Sequence, residues 1–398
     1  MKVTIVDKLS PETVSELQKL GLQVEVRNDL SADTLPGAVA DTDILVVRST
    51  KVTAAAVNAA PRLSLIVRAG AGVDTIDVAC ASERGIYVAN CPGKNTAAVA
   101  ELTIGLLAAA DRRIADAADS MRGGLWQKKE FGKSRGLCGR TLGILGYGAI
   151  GKAVAQRALG LEMKVIAWSR SLTPEIAEER GIACAVSPQA LAAASDALSI
   201  HLAFSPETKH LVDKKFLDAM KPHAILINTS RGALVDTQAL KAAIREKGLR
   251  VGLDVYEGEP AGVEAEWADT ELARMATCTP HIGASTDQAA EAVAAEVVRI
   301  VDLFLRTGHP AGTVNLCARS PATHTLVVRH LNRVGVLAGV LDGLREEDIN
   351  VEEMTNTIFA GARAACCSMQ LDQAPSNGLL EKMRNNVNVL RVMLSACD

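Results

Sequence analysis

Three short segments carry side chains suited to acid–base chemistry on a small organic acid. Asn228-Thr229-Ser230-Arg231-Gly232 offers a fixed cation, Asp254-Val255-Tyr256-Glu257-Gly258-Glu259-Pro260 offers carboxylates, and Thr279-Pro280-His281-Ile282-Gly283-Ala284-Ser285-Thr286 offers an imidazole. A 2-hydroxy or 2-oxo acid needs such a trio. Arg231 can grip a carboxylate and the reacting oxygen. His281 can give a proton to a carbonyl under reduction, or take it in reverse. A carboxylate on the imidazole's other nitrogen stabilises its charged form. The other histidines are assigned no chemistry, His330 excepted.

A fourth segment, Gly146-Tyr147-Gly148-Ala149-Ile150-Gly151, has the spacing G-x-G-x-x-G. It follows the apolar run Thr141–Leu145 and opens a helical pattern through Leu159. In that context Gly146 permits the tight turn and Gly148 lets a pyrophosphate approach the backbone. Gly151 lets helix and strand pack closely. About 20 residues on, an NAD site would carry an acid; the chain has Trp168-Ser169-Arg170-Ser171 instead. Ser169, Arg170 and Ser171 offer donors to a 2′-phosphate. The cofactor expected is therefore NAD or NADP, leaning to NADP.

These segments need elements to position them. Val3–Val6, Leu22–Val26, Ile44–Val47 and Leu65–Val67 read as strands, with a helix starting at Ser10-Pro11. This β-α-β rhythm predicts a parallel sheet covered by helices. Asn95–Ala110 reads as a long apolar helix buried between domains. A second series follows, with strands at Thr141–Leu145, Lys164–Ala167, Ala197–His201, Ala224–Asn228 and Leu249–Asp254. Another apolar helix spans Thr286–Leu305, and Gly308–Thr323 reads as a linker. Beyond it, Thr325–Val328, Val334–Leu344, Asn350–Asn356, Arg363–Leu371, Leu379–Asn386 and Val389–Leu394 follow a β-α-β-β-α-β order, which is ferredoxin-like. The fold class expected is α/β: two doubly wound parallel-sheet domains plus a carboxy-terminal ferredoxin-like domain.

Composition narrows the function classes. The 398 residues are 48% hydrophobic and 22% charged, with a net charge of −3, so neither disorder nor a nucleic-acid partner is expected. No uncharged apolar run is long enough for a membrane span. The nine cysteines form no C-x-x-C pair, so no metal site or disulfide framework is expected, and the cytoplasm is the natural compartment.

The chain resembles the D-isomer-specific 2-hydroxyacid dehydrogenases. The resemblance rests on Val47-Arg48-Ser49-Thr50-Lys51-Val52-Thr53, Arg68-Ala69-Gly70-Ala71-Gly72-Val73-Asp74, Ala89-Asn90-Cys91-Pro92-Gly93-Lys94-Asn95, the glycine loop and the three segments above. It runs from the start to about residue 316. It implies that Arg231 orients substrate and that Glu259 and His281 are the acid–base pair. Glu259, not Glu257, takes that part because the family's residue directly precedes the proline. It further implies that Arg48, Ser49, Gly70, Ala71, Gly72 and Asn95 line the substrate side, with Arg48 and Arg68 matched to a substrate phosphate. Ala149, Ile150, Leu202, Thr229, Ser230, Asp254, Gly283 and Ala284 are expected against the cofactor. The implied layout is a discontinuous, flavodoxin-like substrate domain (1–97 and 286–316), with a Rossmann cofactor domain (98–285) inserted. The matching branch of the family oxidises 3-phospho-D-glycerate to 3-phosphohydroxypyruvate, the entry to serine synthesis. An NADPH-dependent glyoxylate or hydroxypyruvate reductase is the alternative. A nucleotide-sensing regulatory protein, as in the family's corepressors, is a third reading. The third residue of His201-Leu202-Ala203 departs from the family's frequent proline.

The segment from His330 to Leu337, with Ile349-Asn350-Val351, resembles an ACT domain, a small amino-acid-sensing module (323–398). By that resemblance His330, Asn332 and Asn350 would contact an effector such as serine. Exposed sheet edges on such a module favour pairing, so a homo-oligomer, dimer or tetramer, is expected.

Overall fold

The computed structural model describes residues 1–260 and 265–397. It divides into two units, Met1–Asn315 and Leu316–Asp398. The first unit holds two parallel sheets. Strands β1 (Lys2–Ile5), β2 (Gln23–Val26), β3 (Ile44–Val47), β4 (Leu65–Arg68) and β5 (Tyr87–Asn90) form one, in the order β2-β1-β3-β4-β5. Strands β6 (Thr141–Leu145), β7 (Lys164–Trp168), β8 (Ala183–Cys184), β9 (Ala197–Ile200), β10 (Ile225–Asn228), β11 (Arg250–Leu253) and β12 (Thr277–Cys278) form the other. Its order is β12-β11-β10-β9-β6-β7-β8, the doubly wound arrangement of a Rossmann fold. The chain direction of winding reverses between β6 and β9, so a crevice opens at their carboxyl ends. The central strands Ile-Leu-Val-Val of β3 and Ile-Leu-Ile-Asn of β10 are buried throughout. Helices on both faces explain these unbroken apolar runs.

Helix Thr96–Arg112 packs on β10, β11 and helix Ala149–Gly160. Helix Asp287–Thr307 starts at Thr286, whose hydroxyl accepts a bond from Ala289 N, and stops at Gly308. It returns to the first sheet, where Val297, Ile300 and Val301 join Val3, Ile5, Ile44 and Val67 in one core. The linker expected over 308–323 needs correcting. Its first half is tied to β5: Asn90 N donates to Gly312 O at 3.0 Å and Val314 N to Val88 O at 2.8 Å. The apolar positions were too few in that stretch for a sequence pattern to show it. Strands β8 and β12 also lacked such a pattern, being only two residues long.

In the second unit, β13 (His324–Leu331), β14 (Val351–Ile358), β15 (Ala364–Leu371) and β16 (Val389–Ala396) form an antiparallel sheet ordered β14-β15-β13-β16. Helices Val336–Glu346 and Asn377–Arg384 cover one face through Val340, Leu344, Leu379, Leu380 and Met383. This is the ferredoxin-like arrangement. All nine cysteines are free thiols. Among the described residues no helix is long and apolar enough to cross a membrane, and no cluster of histidine, cysteine and acidic residues could hold a metal.

Candidate active site

The glycine loop lies at the carboxyl end of β6. Gly146 has φ +102°, and a β-carbon there would come within 2.5 Å of His201 O. The turn is thus clamped onto the end of β9, which only a glycine permits. A β-carbon on Gly151 would meet Gly146 O at 2.1 Å, so helix Ala149–Gly160 packs directly on the turn. Gly148 caps that helix, and nothing lies within 4 Å of its missing side chain. Open backbone amides at a helix start suit a pyrophosphate. These residues fit a dinucleotide. At the end of β7, Ser169 is half-buried while Arg170 and Ser171 are exposed. Ser205, and more weakly the charge of Arg170, lowers the Glu207 carboxyl below its usual range. That acid lies on another loop, where a motif search does not look.

The carboxyl ends of β10, β11 and β12 bring the three reactive segments together. Glu259 Oε1 lies 2.7 Å from His281 Nδ1. The bond to Glu259 raises the imidazole's pKa against the opposing effect of burial. Burial works against ionising Glu259, but the bond to His281 and its charge outweigh it, leaving the carboxyl below its ordinary value. Glu257 pairs instead with His210. His281 sits in left-handed backbone, φ +52°.

Asp254, 1% exposed, explains how that conformation is held. Its Oδ1 accepts from Thr279 Oγ1 at 2.6 Å and Ile282 N at 2.8 Å, and its Oδ2 accepts from Gly283 N at 2.8 Å. Asp254, expected against the cofactor, thus also shapes the His281 loop. Thr229 likewise turns inward, its hydroxyl 2.9 Å from that of Thr103. Ser230 Oγ donates to Ile200 O at 2.7 Å. Leu202 and Ala284 are half-buried on the same edge, with Gly283 buried behind them.

Arg231 reaches from the second sheet to the first. Its Nε donates to Asp74 Oδ2 at 2.9 Å and its Nη1 to Ser230 O at 2.7 Å. Its Nη2 overhangs Gly72, where a β-carbon would lie 2.1 Å away. Arg68 Nη1 overhangs Gly70 in the same way, at 1.4 Å. Burial, then the charges of Arg231 and Arg48, lowers the pKa of the Arg68 guanidinium, and its buried Nε has no partner. Three guanidinium groups thus repel one another at one edge, an arrangement that an anion would relieve.

Ser49 is less available than expected. Its hydroxyl donates to Asp7 Oδ1 at 2.9 Å, while Asp7 Oδ2 accepts from the amides of Arg48, Ser49 and Thr50. Ala71 O accepts from the Asn90 amide. Asn95 precedes helix Thr96–Arg112 and makes no side-chain capping bond, so its amide is uncommitted there. Asp7 and Asp74 were missed in the sequence. Asp7 is recognisable only once β1 and β3 are known neighbours. Asp74 could have been noticed, because it ends the Arg68–Asp74 stretch.

The second unit does not bring its three candidate residues together. His330 is 2% exposed, with Nδ1 2.8 Å from Leu331 O and Nε2 3.3 Å from Asn356 Oδ1. Asn332 Nδ2 donates to Ala362 O, and Asn350 Nδ2 to Glu352 Oε1. In the antiparallel register Leu331 faces Ala364 while Val351 faces Leu371. At about 3.3 Å per residue, Asn350 is roughly 23 Å from the His330 end. One effector molecule cannot touch all three within one chain.

The sequence profile of the D-isomer specific 2-hydroxyacid dehydrogenase NAD binding domain matches residues 104–283. D-3-phosphoglycerate dehydrogenase of Methanocaldococcus jannaschii is 37% identical over 79% of this chain, which spans 60% of that relative's length. Glyoxylate reductase of Thermococcus litoralis is 39% identical over 79% of this chain and 96% of its own length. A crystal structure of a Thermus thermophilus protein superposes with a TM-score of 0.71 at 34% identity, covering 79% of this chain and 100% of that one.

Proposed function

The chain belongs to the D-isomer specific 2-hydroxyacid dehydrogenase family, and we propose that it interconverts a D-2-hydroxy acid and its 2-oxo acid, with a bound nicotinamide nucleotide supplying or accepting the hydride. The observation that carries the reading is the 2.7 Å contact between Glu259 and His281 at the sheet edge that also bears Arg231. In this reading Arg231 orients the substrate carboxylate and the reacting oxygen. His281 donates the proton during reduction, and Glu259 stabilises the imidazolium. Gly146, Gly148, Gly151 and the amides opening helix Ala149–Gly160 hold the pyrophosphate. We assign 98–285 to the nucleotide, 1–97 with 286–316 to the substrate, and 323–398 to regulation.

The substrate we propose is 3-phospho-D-glycerate, oxidised to 3-phosphohydroxypyruvate. Arg48 and Arg68 support it, since a phosphate beside the carboxylate would answer both surplus cations. A second reading, reduction of glyoxylate or hydroxypyruvate with NADPH, is favoured by Arg170 standing where an NAD site carries an acid. A nicotinamide absorbance assay decides between them, with 3-phosphohydroxypyruvate, hydroxypyruvate and glyoxylate each offered NADH and NADPH. Strong preference for the phosphorylated acid supports the first reading; preference for the smaller acids supports the second.

Arg170→Ala tests the nucleotide choice. Loss of a charge-assisted bond to the 2′-phosphate should raise the KM for NADPH about ten- to a hundredfold and leave that for NADH nearly unchanged. Equal effects on both nucleotides would remove Arg170 from that role. An amino-acid effector such as serine remains our reading of His330, Asn332 and Asn350. Their separation along the sheet favours a homo-oligomer, in which a second copy supplies the missing end.

A further inference from the structure

A second imidazole–carboxylate pair ties together the loops that carry the reacting groups. His210 Nε2 lies 2.6 Å from Glu257 Oε1. Glu257 Oε2 accepts a bond at 3.0 Å from the amide of Thr237, the first residue of helix Thr237–Lys247. From the loop after β11, one carboxylate thus fastens the loop after β9 to the helix after β10. His210 N also donates to Ala233 O at 2.9 Å, two residues past Arg231. It does so in left-handed backbone, φ +51°, which a histidine adopts only against a steric cost. The turn after Arg231 is pressed onto the same loop. A β-carbon on Gly232 would lie 1.9 Å from the carbonyl carbon of Tyr256 and 2.5 Å from Glu257 N. Tyr256 N then donates to Glu259 Oε2 at 3.3 Å, and Glu259 Oε1 holds His281.

We propose that His210 and Glu257 form a positioning pair that sets the spacing between Arg231 and the Glu259–His281 couple. The inference rests on the reading of those three residues as the reacting set. Both partners are about one-third exposed, at 38% and 31%. A pair that wet contributes little to stability, so its effect is geometric. Neither side chain is hydrogen-bonded to the Arg231 guanidinium or the His281 ring; both act through backbone that does the carrying. Displacing reacting groups by about 1 Å costs about a hundredfold in rate.

The test is steady-state kinetics of the full chain carrying Glu257→Gln or His210→Asn, using the 2-oxo acid the wild type prefers. Each variant should lose about ten- to a hundredfold in kcat while its Kd for the nicotinamide nucleotide, read by fluorescence, stays put. The pH midpoint of kcat/KM set by the Glu259–His281 couple should move to lower pH. The double variant should be little worse than the worse single one, because both remove one clamp. Asparagine tolerates left-handed backbone, so His210→Asn decides the matter if Glu257→Gln does not fold. Wild-type kcat and pH midpoint in the variants would overturn the proposal. So would a lower Tm or fewer nucleotide-binding sites with the kcat per site and the midpoint intact. A wild-type protein inert on every 2-oxo acid would overturn the reading of the trio itself, and the pair's role with it.

Discussion

His281→Asn is expected to lower kcat for reduction of a 2-oxo acid by about two to four decades, the range that general acid–base groups contribute. Asparagine is the better replacement because residue 281 has φ +52°, which alanine adopts only with strain. Asp254 keeps its bonds to the amides of Ile282 and Gly283, so the loop holds its path and nucleotide binding is unaffected. The pH dependence follows from the bond to Glu259, which raises His281 above its ordinary value of 6.5. Reduction uses the imidazolium, so its rate persists up to the raised pKa and falls as pH climbs through it. Oxidation uses the neutral ring and rises over the same interval. On its alkaline side stability carries the sign of reduction: the pair's contribution is complete between about 4.5 and about 6.5, fades as pH rises through the folded value of His281, and is lost again as pH falls through the lowered value of Glu259. Glu259→Gln removes the main stabilising charge, leaves burial opposed chiefly by the charge of Asp254, and moves the reduction limb to lower pH. A near-normal rate in His281→Asn would mean that another group carries the proton.

Arg231→Ala is expected to cut kcat/KM by about 10²–10³, some 3–4 kcal/mol, through loss of charge-assisted bonds to the carboxylate and the reacting oxygen. Asp74 and Ser230 already fix two nitrogens of this guanidinium. Its rotamer entropy is therefore spent before substrate arrives. Lysine at 231 keeps the charge but cannot hold both anchors and still present a fork, so it should recover only part of the loss. Carboxylate binding is shared by ground and transition states and will show in KM, whereas contact with the reacting oxygen will show in kcat. Removing this charge also relieves the crowding that depresses Arg68, so thermal stability should change little. Substrate kinetics indifferent to both substitutions would take Arg231 out of the site.

Much of this architecture could be read from the chain alone. The strands at Ile44–Val47 and Thr141–Leu145 stand where their apolar runs place them, because both faces of those strands are covered. The helical pattern read from Thr286 starts within one residue of the helix itself, which Thr286 caps. Short edge strands escaped, since Ala183–Cys184 and Thr277–Cys278 have no room for a period. The pairing of Glu259 with His281 was anticipated through the family resemblance, in which the acid directly precedes the proline. The carboxylates that hold the Arg48 backbone and the Arg231 side chain were not, because Asp7 and Asp74 meet them only through strand order and sheet-to-sheet approach. The bonds of Asp254 were not legible either: its position after β11 was plain, yet only the folded loop shows its oxygens accepting from Thr279, Ile282 and Gly283.

The return of residues 287–315 to the first sheet bears on synthesis. Val297, Ile300, Val301 and Ala311 complete the core around Val3 and Ile5, and Asn315 Oδ1 accepts a bond from Val88 N at the far edge. A nascent chain lacking them leaves one face of β1, β3 and β4 covered only in part, by helix Pro11–Lys19. The β6–β12 sheet draws its own core from Leu142 to Leu272 and the helix beginning at Thr96, all made earlier. On the ribosome the second sheet can therefore consolidate while the first, though translated ahead of it, still waits. During that interval the amino-terminal strands are the segment most in need of a chaperone.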